Sequence, residues 1–153
     1  SRFLFGEKPS SADFAIYGQL TQLIGFDPTS RRIASENSLR LVSWVDVMAD
    51  LSGHDVNNSN WTSLEDSPPS LKEIMKEFGQ MYVPALLANA KAIMEGDETW
   101  ETEIDGSTWK QKAFPYQAKC LKWIKEEFNT LSKNDKTRIK TFLEGTGCEA
   151  ILD

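Results

Sequence analysis

The sequence predicts a mainly α-helical bundle with one small β-hairpin near residues 100–111. Apolar residues recur at three- to four-residue spacing over most of the 153-residue chain, which is the periodicity of amphipathic helices. Ser, Asp, Pro and Gly stand where these periodic segments begin and end. One segment instead alternates in steps of two around Asp105-Gly106, a favoured two-residue hairpin turn.

The first predicted helix runs from Ser11 to about Ile24 and is ended by Gly25. Its start carries a capping box, in which Ser10 accepts from the backbone N–H of Asp13 and the Asp13 carboxylate accepts from the N–H of Ser10. The predicted role of this pair is structural, because both polar side chains are used to cap a helix.

Two further helices are expected in the first third of the chain. Asp27-Pro28 opens a short one, with Pro at its first position. Asn37 or Ser38 caps the next, and Gly53 is the predicted terminator. The apolar stripe of this third helix consists of Leu41, Trp44, Val45, Met48 and Leu51.

The pattern G-x-x-P-S-x-A-D-F at residues 6–14 resembles the start of helix six in the C-terminal helical domain of glutathione transferases. The Asp-Pro step, the short helix and the Leu-x-x-Trp spacing that follow resemble the tail of the same domain. Residues 1–52 are therefore interpreted as its later helices. The resemblance implies a parent protein with an N-terminal thioredoxin-like domain that binds glutathione, and this chain resembles a piece that lacks that domain.

Residues 53–153 are expected to form a helical extension with the hairpin, packed with residues 1–52 as one domain. Segments 82–90, 116–123 and 145–148 look like an extension found in uncharacterised bacterial transferase-like proteins. No activity comes with that second resemblance. Residues 53–69 have the Gly, Asn, Ser and Pro content of a loop.

Ser70 is the predicted cap of the long helical segment after this loop. Gly79 and Pro84 interrupt its pattern, and Pro84 removes a helical hydrogen bond, so two helices or one helix kinked near Gln80 are expected. The periodic residues of this segment are Leu71, Ile74, Met75, Phe78, Met81, Tyr82, Leu86, Asn89 and Ile93.

The hairpin turn fixes the register of the two predicted strands. The expected cross-strand pairs are Ile104 with Ser107, Thr102 with Trp109, and Trp100 with Gln111. Trp100, Ile104 and Trp109 then share one face, which must pack on helices because a lone hairpin is marginal in water.

Two more helices complete the prediction. Pro115 starts the first, and its stripe contains Gln117, Leu121, Ile124, Phe128 and Leu131. Asn134 or Asp135 caps the last helix, which Gly145 closes.

Net charge and hydropathy argue against two classes of protein, those that bind nucleic acid and those that span a membrane. The net charge of −6 argues against nucleic acid as a partner, and no apolar run approaches the ~20 residues of a membrane span. Cys120 and Cys148 lack the spacing of a redox or metal motif, so two buried free thiols and a cytoplasmic location are expected.

No pattern of catalytic or metal-ligating residues stands out. The single histidine, His54, lies in a loop and is expected to face solvent, so no catalytic or metal residue is assigned and cofactor-binding residues stay unknown. Asn89 and Gln117 lie on apolar stripes and need hydrogen-bond partners. With Tyr82, Gln111 and Tyr116 they form either a satisfied network that holds the hairpin to the helices or the polar wall of a ligand pocket.

These observations give one functional hypothesis and two alternatives. The chain is expected to be the C-terminal fragment of a glutathione-transferase-like protein, without catalytic activity of its own. It needs no cofactor itself, glutathione being the cofactor of the parent, and its expected partners are the missing thioredoxin-like domain and a second copy in a homodimer. The alternatives are a non-catalytic helical interaction module and a small-molecule carrier.

Overall fold

The structure, a computed structural model, describes residues 1–55 and 60–152. It is mainly helical with one two-stranded antiparallel sheet, and the chain divides into two compact units, Ser1–Ser63 and Leu64–Asp153. A glutathione-transferase arrangement of these helices, a division after residue 52 and packing as one domain stay predictions. Residues 56–59 of the predicted loop lie outside the described part.

The described residues of the first unit form three helices, α1 (Ser11–Gly25), α2 (Pro28–Asn37) and α3 (Leu39–Ala49). Each begins at a side-chain cap, because Ser10, Asp27 and Ser38 accept backbone N–H groups of the first turns. Each helix contacts the other two, and their buried apolar residues are Ile24, Val45 and Met48.

Helix α3 ends earlier than the sequence predicts. The expectation that Leu51 belongs to it and that Gly53 ends it is wrong, since Asp50 already has an extended backbone. The Asp50 carboxylate accepts from the N–H of Ser52 at 2.9 Å, a local turn that competes with another helical turn.

The second unit begins with α4 (Pro69–Glu77), followed by a π-helical segment (Phe78–Tyr82) and α5 (Val83–Glu95). The predicted interruption near Gln80 takes the form of this π-helical segment, in which the N–H of Val83 reaches the carbonyl of Phe78. The predicted Ser70 cap is wrong. Pro68 holds the cap position without a side-chain bond, because Pro69 is preset for the first helical position.

The hairpin consists of β1 (Thr99–Ile104) and β2 (Ser107–Lys112). All three predicted pairs are present in its register. Asp105 and Gly106 both have positive φ, as a tight hairpin turn of this length requires. Strand β1 packs on α5 and buries Trp100 and Ile104, whereas Trp109 stays 45 % exposed. The helices thus cover only part of the predicted apolar face.

Helices α6 (Pro115–Thr130) and α7 (Lys133–Leu143) and a short 3₁₀ turn (Cys148–Ile151) complete the unit. Leu121 and Phe128 of the α6 stripe are buried, but Leu131 lies beyond the helix. Ser132, not Asn134 or Asp135, caps α7, because its hydroxyl accepts from the N–H of Asp135 at 3.1 Å.

Candidate functional site

A small cavity in the second unit brings together three of the five polar residues singled out from the sequence. Its volume is about 240 Å³. We call it the aromatic cavity, and its lining residues are Met81, Tyr82, Ala85, Leu86, Trp100, Ile104, Trp109, Gln111 and Gln117.

Four segments of the second unit contribute the side chains that line the aromatic cavity. The π-helical segment supplies Met81 and Tyr82, and the first turn of α6 supplies Gln117. The hairpin register sets Trp100 opposite Gln111, so that both project from the face of the sheet that also carries Trp109. Helix α5 and Ile104 add the apolar floor.

Trp100 contributes a buried indole to the aromatic cavity. Its side chain is only 6 % exposed, and its Nε1 makes no hydrogen bond to any of the described residues. A buried donor left in this state costs about 1–3 kcal/mol.

Tyr82 adds a phenol to the same wall. Burial raises the pKa of Tyr82 above its ordinary value, and the nearby Cys120 raises it further. The hydroxyl is therefore protonated at neutral pH and can donate a hydrogen bond. Cys120 itself is half-buried and Cys148 is buried, so the expectation of a buried thiol holds fully only for Cys148.

Asn89 lies outside the aromatic cavity and is satisfied structurally. Its side chain is fully buried, its Nδ2 donates to the carbonyl of Phe114 at 3.0 Å, and its Oδ1 accepts from the N–H of Phe114 at 2.7 Å. This two-bond pairing fixes α5 to the residue that precedes α6. The amides expected to form one network therefore have different roles. Asn89 connects α5 to Phe114, whereas Gln111 and Gln117 line the aromatic cavity.

Tyr116 does not line the aromatic cavity either. It is 57 % exposed and makes ring contacts with Phe114 and Trp123, each at 6.2 Å between centroids. The Nζ atom of Lys119 lies 4.7 Å from the ring centroid of Trp123. These side chains form a surface cluster rather than part of a pocket.

The capping box of α1 has both reciprocal hydrogen bonds. The Asp13 carboxylate accepts from the N–H of Ser10 at 2.8 Å and also from the N–H of Leu4 at 2.9 Å. Asp13 is fully buried. The bond to Leu4 ties the N-terminal segment to α1, and no local sequence pattern signals it.

His54 has a structural role that the sequence reasoning missed. One ring nitrogen, Nε2, lies 2.9 Å from the carbonyl of Glu7, while Nδ1 lies 3.3 Å from a guanidinium nitrogen of Arg2. The ring also meets the edge of Phe3, which is buried. His54 is half-buried, so the expectation that it faces solvent holds only in part, and these distant partners hold the ring against the N-terminal segment.

The lining of the aromatic cavity combines aromatic and apolar side chains with one phenol and two amides. Its described lining contains no carboxylate, imidazole or thiol. Within residues 1–55 and 60–152, no group of three or more His, Cys, Asp or Glu side chains could hold a metal ion. Over the same ranges, none of the helices combines the length and the apolarity that a bilayer crossing demands.

Comparison of the chain with protein-family models, curated proteins and solved structures found no match.

Proposed function

We propose that this chain is a non-catalytic binding unit that holds a small, flat aromatic ligand in the aromatic cavity. The observation that carries the proposal is a cavity lined by the indoles of Trp100 and Trp109, the phenol of Tyr82 and the amides of Gln111 and Gln117. Two indole rings offer stacking surfaces, and the polar groups select a ligand with hydrogen-bonding atoms at its edge.

The dimensions of the aromatic cavity limit the ligand. About 240 Å³ is below the roughly 300–1,000 Å³ typical of sites for drug-sized molecules. A compound of one or two fused rings fits this space. A tripeptide such as glutathione is too large to be enclosed by it.

The proposal is tested with two ligands of similar shape, 2-quinolone and naphthalene. 2-Quinolone carries a carbonyl acceptor and an N–H donor, whereas naphthalene carries neither, so calorimetry should give saturable binding of 2-quinolone and weaker binding of naphthalene. Trp109→Leu should weaken the binding of both compounds, because it removes one of the two stacking surfaces. Trp123→Leu is the matched control, because Trp123 belongs to the surface cluster outside the aromatic cavity. Absence of saturable binding by both compounds would overturn the proposal.

We further propose that the binding unit is the C-terminal part of a glutathione-transferase-like protein. The support is the capping box within the G-x-x-P-S-x-A-D-F pattern, where Ser10 and Asp13 make both reciprocal bonds. In this proposal the parent includes a thioredoxin-like domain that binds glutathione, and it assembles as a homodimer. Two free cysteines fit a reducing, cytoplasmic location.

The test of this relationship is the coding sequence on the 5′ side of the Ser1 codon. It should encode a mixed sheet-and-helix domain with a cis-proline turn, and the product of the whole gene should bind immobilised glutathione and run as a dimer in light scattering. A different preceding domain would reject the relationship while leaving the binding unit itself untouched.

A further inference from the structure

A second, larger concavity lies between α5 and α6, on residues separate from those of the aromatic cavity. Its volume is about 500 Å³. We call it the α5–α6 groove, and its lining residues are Leu87, Ala90, Lys91, Ile93, Met94, Ala118, Leu121, Lys122, Lys125, Glu126 and Asn129.

Helical spacing explains why this surface is continuous. On α5 the lining positions 87, 90, 91 and 94 recur at three- to four-residue intervals, and on α6 the positions 118, 121, 122, 125 and 129 do the same. The small side chains of Ala90 and Ala118 leave the space open. Met94 is 83 % exposed. Its unbranched thioether side chain is flexible and can pack on a hydrocarbon chain.

The charged residues at this groove are mostly basic. Three lysines, Lys91, Lys122 and Lys125, line it together with one carboxylate, Glu126. Lys122 and Glu126 form an exposed ion pair at 3.6 Å. Lysines can lie along apolar surface while their ammonium groups stay in water. The groove thus joins an apolar floor to a cationic rim.

We propose that the α5–α6 groove binds a free long-chain fatty acid. Its hydrocarbon chain lies along the apolar floor, and its carboxylate meets the ammonium groups of Lys91 and Lys122. Charge complementarity selects a carboxylate over a cationic or neutral head group of the same chain length. The inference rests on the groove alone and does not depend on a ligand in the aromatic cavity.

Methionine methyl NMR on the full chain tests this, because each concavity has its own methionine. The chain contains four methionines; Met94 lines the groove and Met81 lines the aromatic cavity. Dodecanoate, kept below its micelle concentration, should shift the Met94 signal saturably and leave Met81 unchanged. 2-Quinolone should do the reverse, so the two proposals can fail separately.

Head-group and chain-length series provide the controls. Dodecyltrimethylammonium should bind more weakly than dodecanoate, and each added methylene of the fatty acid should tighten binding about fourfold, as burial of a CH₂ group implies. Equal binding of the cationic amphiphile would overturn the proposal. A Met94 signal that moves with protein concentration alone would assign the groove to a second copy of the chain and would also overturn it.

Substitutions in the groove test where the carboxylate of the fatty acid binds. The double variant Lys91→Gln/Lys122→Gln, which keeps part of each apolar stem, should weaken dodecanoate by about tenfold, the order expected for losing charge-assisted contacts, and should weaken dodecanol much less. Lys112→Ala on strand β2 is the matched control and should bind like the wild type. Ala118→Trp should block dodecanoate without affecting 2-quinolone. Unaltered dodecanoate affinity in both the double variant and Ala118→Trp would reject the groove as the site.

Discussion

Asn89 is a polar residue on an otherwise apolar face of α5, and its side chain connects α5 to the start of α6 through two hydrogen bonds. Its position on the stripe of α5 predicts burial and a need for partners, and the structure shows a fully buried amide. The partner is the backbone of Phe114, 25 residues along the chain. Periodicity cannot predict that contact, because it depends on how the hairpin returns the chain to α5.

Asn89→Ala should lower the free energy of unfolding by about 2–4 kcal/mol, since it removes two hydrogen bonds and leaves a cavity at a fully buried position. Urea denaturation measures this. Asn134→Ala is the control, because Asn134 is exposed in the first turn of α7, and it should change stability little. Similar values for the two variants would show that the Phe114 pairing does not stabilise the fold.

For the aromatic cavity, too, the sequence predicts some of the lining residues but not their hydrogen bonding. The sequence predicts a polar set of Tyr82, Asn89, Gln111, Tyr116 and Gln117, and three of these residues line the cavity. Trp100 was predicted to be apolar contact surface for helices, but its unpartnered indole donor becomes visible only in the folded chain. Hydrogen-bond satisfaction is a property of tertiary structure, so no sequence pattern signals it.

At the scale of elements, the residues at turns and helix caps determine how well the sequence predicts strand register and helix ends. Asp105-Gly106 sets the hairpin register, because two consecutive positive φ values are available to few residue pairs. Helix ends are less determined where neighbouring candidates compete. Ser132 precedes Asn134 and Asp135, and the choice among them depends on which residue has an extended backbone.

The start of α7 gives a prediction about pH. Hydrogen bonds from Ser132, and then from Arg138, lower the pKa of Asp135 below its ordinary value of 3.8. Because folding lowers this pKa, the carboxylate stabilises α7 above about pH 3.8, and the stabilisation is lost as pH falls through the lowered value. Ser132→Ala should raise the pKa of Asp135 towards 3.8 in a carboxyl NMR titration. Lys133→Ala should not. An unchanged pKa in Ser132→Ala would show that the Ser132 hydroxyl does not donate to the Asp135 carboxylate.

The contact between the π-helical segment and the C-terminal turn gives a prediction about glycine. A Cβ atom on Gly79 would overlap the carbonyl of Thr146, and a backbone atom cannot move aside as a side chain can. Gly79→Ala should therefore destabilise by about 3 kcal/mol, at the upper end for overpacking.

Gly18→Ala is the matched control, since nothing lies within 4 Å of the added methyl in the middle of α1. This variant should instead stabilise by about 0.5–1 kcal/mol, because alanine is the better helix former. Thermal and urea denaturation of both variants give the comparison. Equal stability of Gly79→Ala and the wild type would mean that the two segments do not approach this closely.

At the scale of the whole molecule, the mainly helical class and the small hairpin follow from periodicity, whereas the arrangement of helices does not. The proposed relation to glutathione transferases rests on residues 6–14 and the following helices of the first unit. Both proposed binding sites are lined by residues of the second unit alone. The part of the chain that suggests a family is therefore different from the part that suggests an activity.

This separation predicts that the second unit, expressed alone as residues 64–153, keeps both sites. Every lining residue of the aromatic cavity and the α5–α6 groove belongs to it, so 2-quinolone and dodecanoate should bind with the same Kd as in the full chain. Circular dichroism provides the folding control, and residues 1–63 should bind neither compound. A folded second unit that has lost both ligands would show that residues outside 64–153 are needed to form the sites.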